Sequence, residues 1–256
     1  MVMREIAILL LSLGLLSFIG VKAQDKNLFN HVGWGVSLGT DGIGLEAALP
    51  VGNYVQARTG FSFMPKFSYS SDVKYGTQSL GNMSDKKINI KGTLNMQDWK
   101  FLFDLYPSQS STFHFTAGFY LGQKALVTAK NTESNSLLSN GGYILIGGQP
   151  FGADQLGIAN VEVRTNSFKP YLGVGFGRAV PRKSKVGVSC DFGVQFWGKP
   201  KIYGWNEDLL NYGFREIRYQ DIEAGSDAED ARDAIKTLNS IGVYPVISVR
   251  LNGIIF

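Results

Sequence analysis

His114, Ser189, Asp104 and Asp191 are the residues of this chain whose types could support a reaction. A serine activated by a histidine that a carboxylate orients is the arrangement of acyl-transfer chemistry. Alternation of apolar and polar residues places His114 and Ser189 on the same kind of strand face, where Asp104 or Asp191 could orient the base. The four lie in strand-like runs, with no nucleophile-elbow signature around them. A lone inward-facing histidine is ordinarily a hydrogen-bonded structural residue, so no catalytic residue is assigned.

These side chains belong to a larger polar set. Glu46, Arg58, Lys100, Asp104, His114, Asp191 and Arg250 all fall on the second, less apolar face of their strands, and Arg178 is read as facing inward with them. Single charges in a narrow apolar enclosure are costly, so they are expected to pair. The reading that follows is a network of interior salt bridges that fills and stiffens the molecule. A selective path for a small polar solute is the alternative.

The elements that position this set are strands. Eight segments read as strand: Val32–Gly39, Ile43–Leu49, Tyr54–Met64, Lys87–Tyr106, Thr112–Leu126, Phe168–Arg178, Lys185–Tyr203 and Val243–Phe256. Short connections (Pro50–Asn53, Pro107–Ser111, Ala179–Ser184) alternate with long ones at about 65–86, 127–167 and 204–242, and Asp41-Gly42 is a tight hairpin signal. In the fifth segment Phe113, Phe115, Ala117, Phe119 and Leu121 share one face, against Thr112, His114, Thr116, Gly118 and Tyr120. In the seventh, Val186, Val188, Cys190, Phe192, Val194 and Phe196 oppose Lys185, Gly187, Ser189, Asp191, Gly193 and Gln195. The polar, glycine-rich faces suit the inside of a small barrel, and the apolar faces suit lipid. The expected fold is all-β: a closed antiparallel transmembrane β-barrel of eight strands, with one short helix before the last strand. Eight strands leave little interior room, which disfavours the solute path.

The two ends supply an address. Arg4, an apolar stretch from Ile6 to Ile19 and the Val21-Lys22-Ala23 site read as a signal peptide over 1–23, cleaved before Gln24. The single barrel domain would then span 24–256. Phe256 closes an amphipathic strand, as an assembly signal for the barrel-assembly machinery would. Strict alternation from Val243 through Leu251 turns Phe256 inward, so a bulge near Asn252-Gly253 is expected to return it to the lipid side. The expected location is the bacterial outer membrane, with both termini periplasmic, as a monomer whose partners are membrane lipid and the assembly machinery. In that setting a Ser/His/acid set would imply lipid modification.

Other classes are poorly supported. A formal charge of +4 without a basic, aromatic-laced patch gives no case for nucleic acid. Cys190 is the sole cysteine, and with only His31 and His114 there is no zinc-type cluster, so neither metal nor cofactor is expected. Cys190 should face lipid and be inert. Trp34, Trp99, Trp197 and Tyr203 lie toward strand ends, as interface girdles do. Ser226-Asp227-Ala228-Glu229 fits a capping box, with Ala231, Ile235 and Leu238 at helical spacing behind it. Within 141–150, the run Tyr143, Ile144, Leu145 and Ile146 is apolar for a solvent loop. It could extend the wall above the membrane, fold into the mouth or touch a hydrophobic ligand.

Three stretches carry a family resemblance: Lys91 to Tyr120, with Phe103-Asp-Leu-Tyr-Pro107; Lys169-Pro-Tyr-Leu-Gly-Val-Gly-Phe-Gly177 continuing to Pro200; and the acidic helix followed by Tyr244-Pro-Val-Ile-Ser-Val and Phe256. Together they resemble a widespread group of outer-membrane β-barrel proteins from Bacteroidetes and proteobacteria. The resemblance implies a barrel and its location, and no activity.

Overall fold

The computed structural model describes residues 31–77, 83–139, 142–146, 149–182, 184–208, 211–218, 233, 236–237 and 240–255. Its base is a closed antiparallel barrel of β1 (Gly33–Gly39), β2 (Gly42–Pro50), β3 (Val55–Phe63), β6 (Gln97–Leu105), β7 (Phe113–Gly122), β12 (Phe168–Phe176), β13 (Val186–Phe196) and β16 (Val243–Ile254). Closure runs through the pairing of β1 with β16, where Val36 faces Leu251 and Leu38 faces Val249. These are the eight segments expected, all shorter than read except β2, which extends one residue further at each end.

Their outer faces are apolar and open. Leu38 is 69% exposed, Val188 65% and Leu45 60%, and Phe103, Phe115, Leu172, Phe176 and Val249 belong to the same belt. An exposed apolar surface that encircles a molecule is stable against hydrocarbon rather than water. The inner face is polar and sterically interlocked. Tyr171 spans the barrel because the positions beneath its ring are Gly173 and Gly193; a β-carbon at Gly193 would sit inside that ring.

All three long connections carry strands among their described residues. The fourth segment breaks at Asn95-Met96, so β5 (Met83–Leu94) leaves the barrel and pairs with β4 (Phe67–Thr77). Likewise the fifth continues into β8 (Ala125–Asn131) and the seventh into β14 (Lys201–Asp208). With β9 (Gly142–Ile146), β10 (Gln149–Gly152), β11 (Asn160–Arg164) and β15 (Asn211–Ile217), they form a second eight-stranded sheet in the order β10-β9-β4-β5-β8-β11-β14-β15. The Ser- and Tyr-rich stretch from 67 is thus a strand, because alternate residues pair across Phe67/Leu94, Tyr69/Gly92 and Ser71/Ile90. This sheet has its own core of Ile88, Ile90, Ile144, Ala153, Ala159 and Val161, into which Leu138 of the short helix α1 (Ser136–Ser139) packs. Asn131 ties the 132–159 segment down: its Nδ2 donates to the Glu133 and Gly157 carbonyls and its Oδ1 accepts from Ala159 N–H.

The expected bulge near Asn252-Gly253 does not form. The pairing of β16 runs without a shift through Gly253, opposite both Trp34 and Val186. Ile254 consequently turns inward and packs on Ala48, Ala179 and Val180, which gives it a buried apolar site that a bulge would remove. Phe256 lies outside the described residues, as does most of the expected helix at 226–238; Asp233, Lys236, Thr237 and Ser240 are helical. Residues 1–30, including the expected signal peptide, also lie outside them.

Candidate functional site: the sealed interior and its two ends

Seven of the eight inward residues read from the alternation are brought together, Arg178 being the exception. At mid-height Arg58 reaches from β3 to three carboxylates: Asp104 Oδ1 at 2.7 Å, Asp191 Oδ2 at 3.2 Å and Glu46 Oε2 at 3.3 Å. Arg250 enters from β16 and lies 2.9 Å from Glu46 Oε2 and 3.3 Å from Asp191 Oδ2. Lys100 lies 2.8 Å from Glu46 Oε1, and His114 Nε2 stands 3.0 Å from Asp191 Oδ1. All seven side chains are buried. In so dry a site each charge depends on its partners, since removing one leaves the others uncompensated.

Three interior partners were not read from the sequence. Asp41, taken as a hairpin signal alone, turns in beneath Lys100 at 3.5 Å. Asp98 and Lys169 form a separate buried pair at 2.6 Å nearer the second sheet. Both lie one alternation step beyond residues already placed inside, Lys100 and Tyr171, so the period-two pattern could have found them.

Between the two charged levels lies an apolar layer of Leu102, Tyr120, Tyr171 and Val246. Above the Asp98–Lys169 pair, Met96, Leu126 and Trp197 close the barrel toward the second sheet, and Trp197 stacks on Tyr244 at 4.4 Å between ring centres. Trp197 is therefore a lid rather than a girdle residue. Tyr203 is displaced from the girdle as well, standing in the second sheet beneath the Arg164 guanidinium at 4.6 Å. Trp99 does sit on the outer rim, edge-to-face with Phe61 at 5.4 Å.

The short-turn end is closed by the turn after β12. Ala179 and Val180 fold into the barrel mouth. Gln56 holds them there: its Nε2 donates to the Val180 carbonyl at 3.2 Å, and its Oε1 accepts from Val180 N–H at 3.2 Å and from Tyr106 OH at 3.0 Å. Arg178 stays outside the ionic network, its guanidinium 4.2 Å above the Tyr106 ring.

The Ser/His/acid arrangement is not assembled. His114 Nε2 faces Asp191, whereas Ser189 Oγ accepts from Asn252 Nδ2 at 2.8 Å. Asp104, His114 and Asp191 do offer ligand atoms within 4.8 Å of one another. The Arg58 guanidinium already occupies the position a cation would take, so this is an ion-pair cluster.

In the second sheet, Tyr143–Ile146 forms strand β9, and Ile144 is sealed in the core. The apolar groove lies elsewhere. About 470 Å³ in volume, it runs along β4, β5 and β8 and is lined by Phe67, Tyr69, Ile90, Leu94, Val127 and Ala129, with Gly92 in its floor.

A closed eight-stranded barrel with an apolar exterior and a polar, ion-paired interior defines a β-barrel of the membrane-spanning class. No protein-family model matches the chain, and no curated protein matches it. Among solved structures it is similar to CarO of Acinetobacter baumannii, at 18% identity over 89% of this chain and 99% of that one, with a TM-score of 0.48. It is also similar to CarO2 of Acinetobacter baumannii, at 21% identity over 88% and 98% of the two chains, TM-score 0.48. A major outer membrane protein from Thermus thermophilus matches at 12% identity over 88% and 98%, TM-score 0.34.

Proposed function

We propose that this chain is an integral protein of the bacterial outer membrane whose barrel does not conduct, and whose recognition surface is the second sheet. The observation that carries the first part is the filling of the interior at every level. The Val180 plug, the Arg58 network, the Tyr120–Tyr171 layer, the Asp98–Lys169 pair and the Trp197–Tyr244 lid follow one another along the barrel. A small barrel so filled is a rigid pedestal. The short turns, the start of β1 at Gly33 and the end of β16 at Ile254 fall at one end, which in this reading is periplasmic, and the second sheet stands outside the cell.

The groove along β4, β5 and β8 favours binding of a small apolar molecule. Its size is that of small-molecule sites, and its wall is hydrophobic with Ser68, Ser71 and the Tyr69 hydroxyl as the polar groups at hand. A β-carbon at Gly92 would meet only the Tyr69 carbonyl, at 3.7 Å, so the groove floor has room for a larger side chain. Partitioning of a neutral fluorescent apolar probe, N-phenyl-1-naphthylamine, into the refolded protein tests this. Gly92→Leu should fill the groove and lower probe binding severalfold with the barrel intact; unchanged binding would remove the groove from the account.

A further inference from the structure

The short-turn end of the barrel carries an unbalanced positive charge. Its three turns, residues 51–54, 106–112 and 177–185, contain no aspartate or glutamate, while the last contributes Arg178, Arg182, Lys183 and Lys185. Neither guanidinium meets a carboxylate among the described residues. Arg178 donates to the carbonyls of Ser111 at 3.1 Å and Gln109 at 2.6 Å. Arg182 donates to the carbonyls of Gln109 at 2.9 Å and Asn53 at 3.0 Å. These bonds fix both groups against the turns without neutralising them. Burial and the nearby Arg182 charge hold the Arg178 guanidinium below its ordinary value, as expected of like charges lacking a counter-ion.

The position of these groups says what could supply that counter-ion. Lys185 immediately precedes Val186 and Val188, which are exposed members of the lipid-facing belt. Phe113 and Phe176 lie at the same end, with ring centres 5.4 Å apart. Arg182 and Lys185 are both exposed. The charges thus begin where the apolar belt stops, at the depth of lipid headgroups.

We propose that Arg182 and Lys185, backed by Arg178, form a rim that binds the phosphate groups of anionic phospholipids in the leaflet on the short-turn side. A planar guanidinium pairs bidentately with phosphate oxygens, and a lysine supplies a mobile point charge. The rim rests on the membrane-spanning reading above and adds lipid-class selectivity to it. Each basic group near an anionic surface contributes about a fivefold gain in association, from about 1 kcal/mol per residue.

Trp34 is a built-in reporter. It pairs with Gly253, which on its other side pairs with Val186, next to Lys185. The full chain carrying Trp99→Phe is reconstituted in bilayers doped with brominated phosphatidylglycerol or brominated phosphatidylcholine, and quenching of Trp34 is followed. Phosphatidylglycerol should quench severalfold more effectively at equal mole fraction. R182Q/K183Q/K185Q should lose this preference, R182K/K185R should keep it, and millimolar inorganic phosphate should leave it unchanged. Equal quenching by the two lipids would overturn the proposal. So would a preference surviving R182Q/K183Q/K185Q, or one abolished by free phosphate, which would mean a site for soluble anions. If neither lipid quenches Trp34, the membrane-spanning reading itself is wrong.

Discussion

Arg58 and Asp104 face each other across neighbouring strands inside the barrel, with Nη2 2.7 Å from Oδ1, and the same guanidinium bridges to Asp191 and Glu46. One side chain thereby compensates carboxylates from three strands, β2, β6 and β13. Arg58→Ala should therefore cost about 3–5 kcal/mol of stability, the scale for stranding buried charges. Urea unfolding in detergent micelles or vesicles measures it. Arg58→Lys should recover only part, because a single ammonium cannot span the three acids; full recovery would show that the network tolerates a point charge.

Packing makes a second, charge-free demand. Gly193 and Gly173 leave the space that the Tyr171 ring fills. Gly193→Val should destabilise the barrel by about 1–3 kcal/mol through overpacking. Adding Tyr171→Ala to Gly193→Val should relieve that strain, so the double variant should be more stable than the two losses summed. Simple additivity would mean that the ring and the glycine do not share one space.

The same alternation that reveals these pairs shows what was legible in the chain. Arg58, Lys100, Asp104, His114, Asp191 and Arg250 could be placed inside because each lies on the polar side of an uninterrupted period-two run. Asp41 was hidden by its position in a turn, where an aspartate ordinarily serves its own backbone. The second sheet was hidden for a different reason. Residues 67–77 do alternate, with Phe67, Tyr69, Val73 and Tyr75 against Ser68, Ser70, Asp72 and Lys74, but their serine and tyrosine content reads as loop, and the pairing with β5 comes from tertiary context. From Lys87 to Tyr106 the apolar residues switch from even positions (Ile88, Ile90, Leu94, Met96) to odd ones (Trp99, Phe101, Phe103, Leu105), and this change of phase, overlooked in reading one long strand, marks where the chain changes sheets at Asn95-Met96.

Cys190 tests the orientation of β13. It lies on the apolar face, half-buried, between inward-facing Ser189 and Asp191. A membrane-soluble maleimide should label it in folded, bilayer-embedded protein, and a charged, impermeant maleimide should do so only after unfolding. Labelling by the charged reagent in the folded state would place this face in water.

Gln56 is the latch of the plug at the short-turn end. Gln56→Ala should free the turn at Val180 and strand the Val180 N–H, its carbonyl and the Tyr106 hydroxyl. Unsatisfied buried groups cost about 1–3 kcal/mol each, although water entering from the open end should offset part of the loss. Hydrogen exchange at Ala179 and Val180 should rise at least tenfold. Exchange as slow as in the parent protein would show that apolar packing on Ile254 and Ala48 suffices to hold the plug.

The central claim is that the barrel is sealed, and single-channel recording in planar bilayers addresses it most directly. Heat-modifiable, folded protein is added to the bilayer, and its insertion is confirmed by protease protection. The parent protein should give no steady conductance above baseline. Reproducible open levels, altered in size or ion preference by Arg58→Ala or Asp191→Asn, would contradict it and make the interior charges the lining of a path.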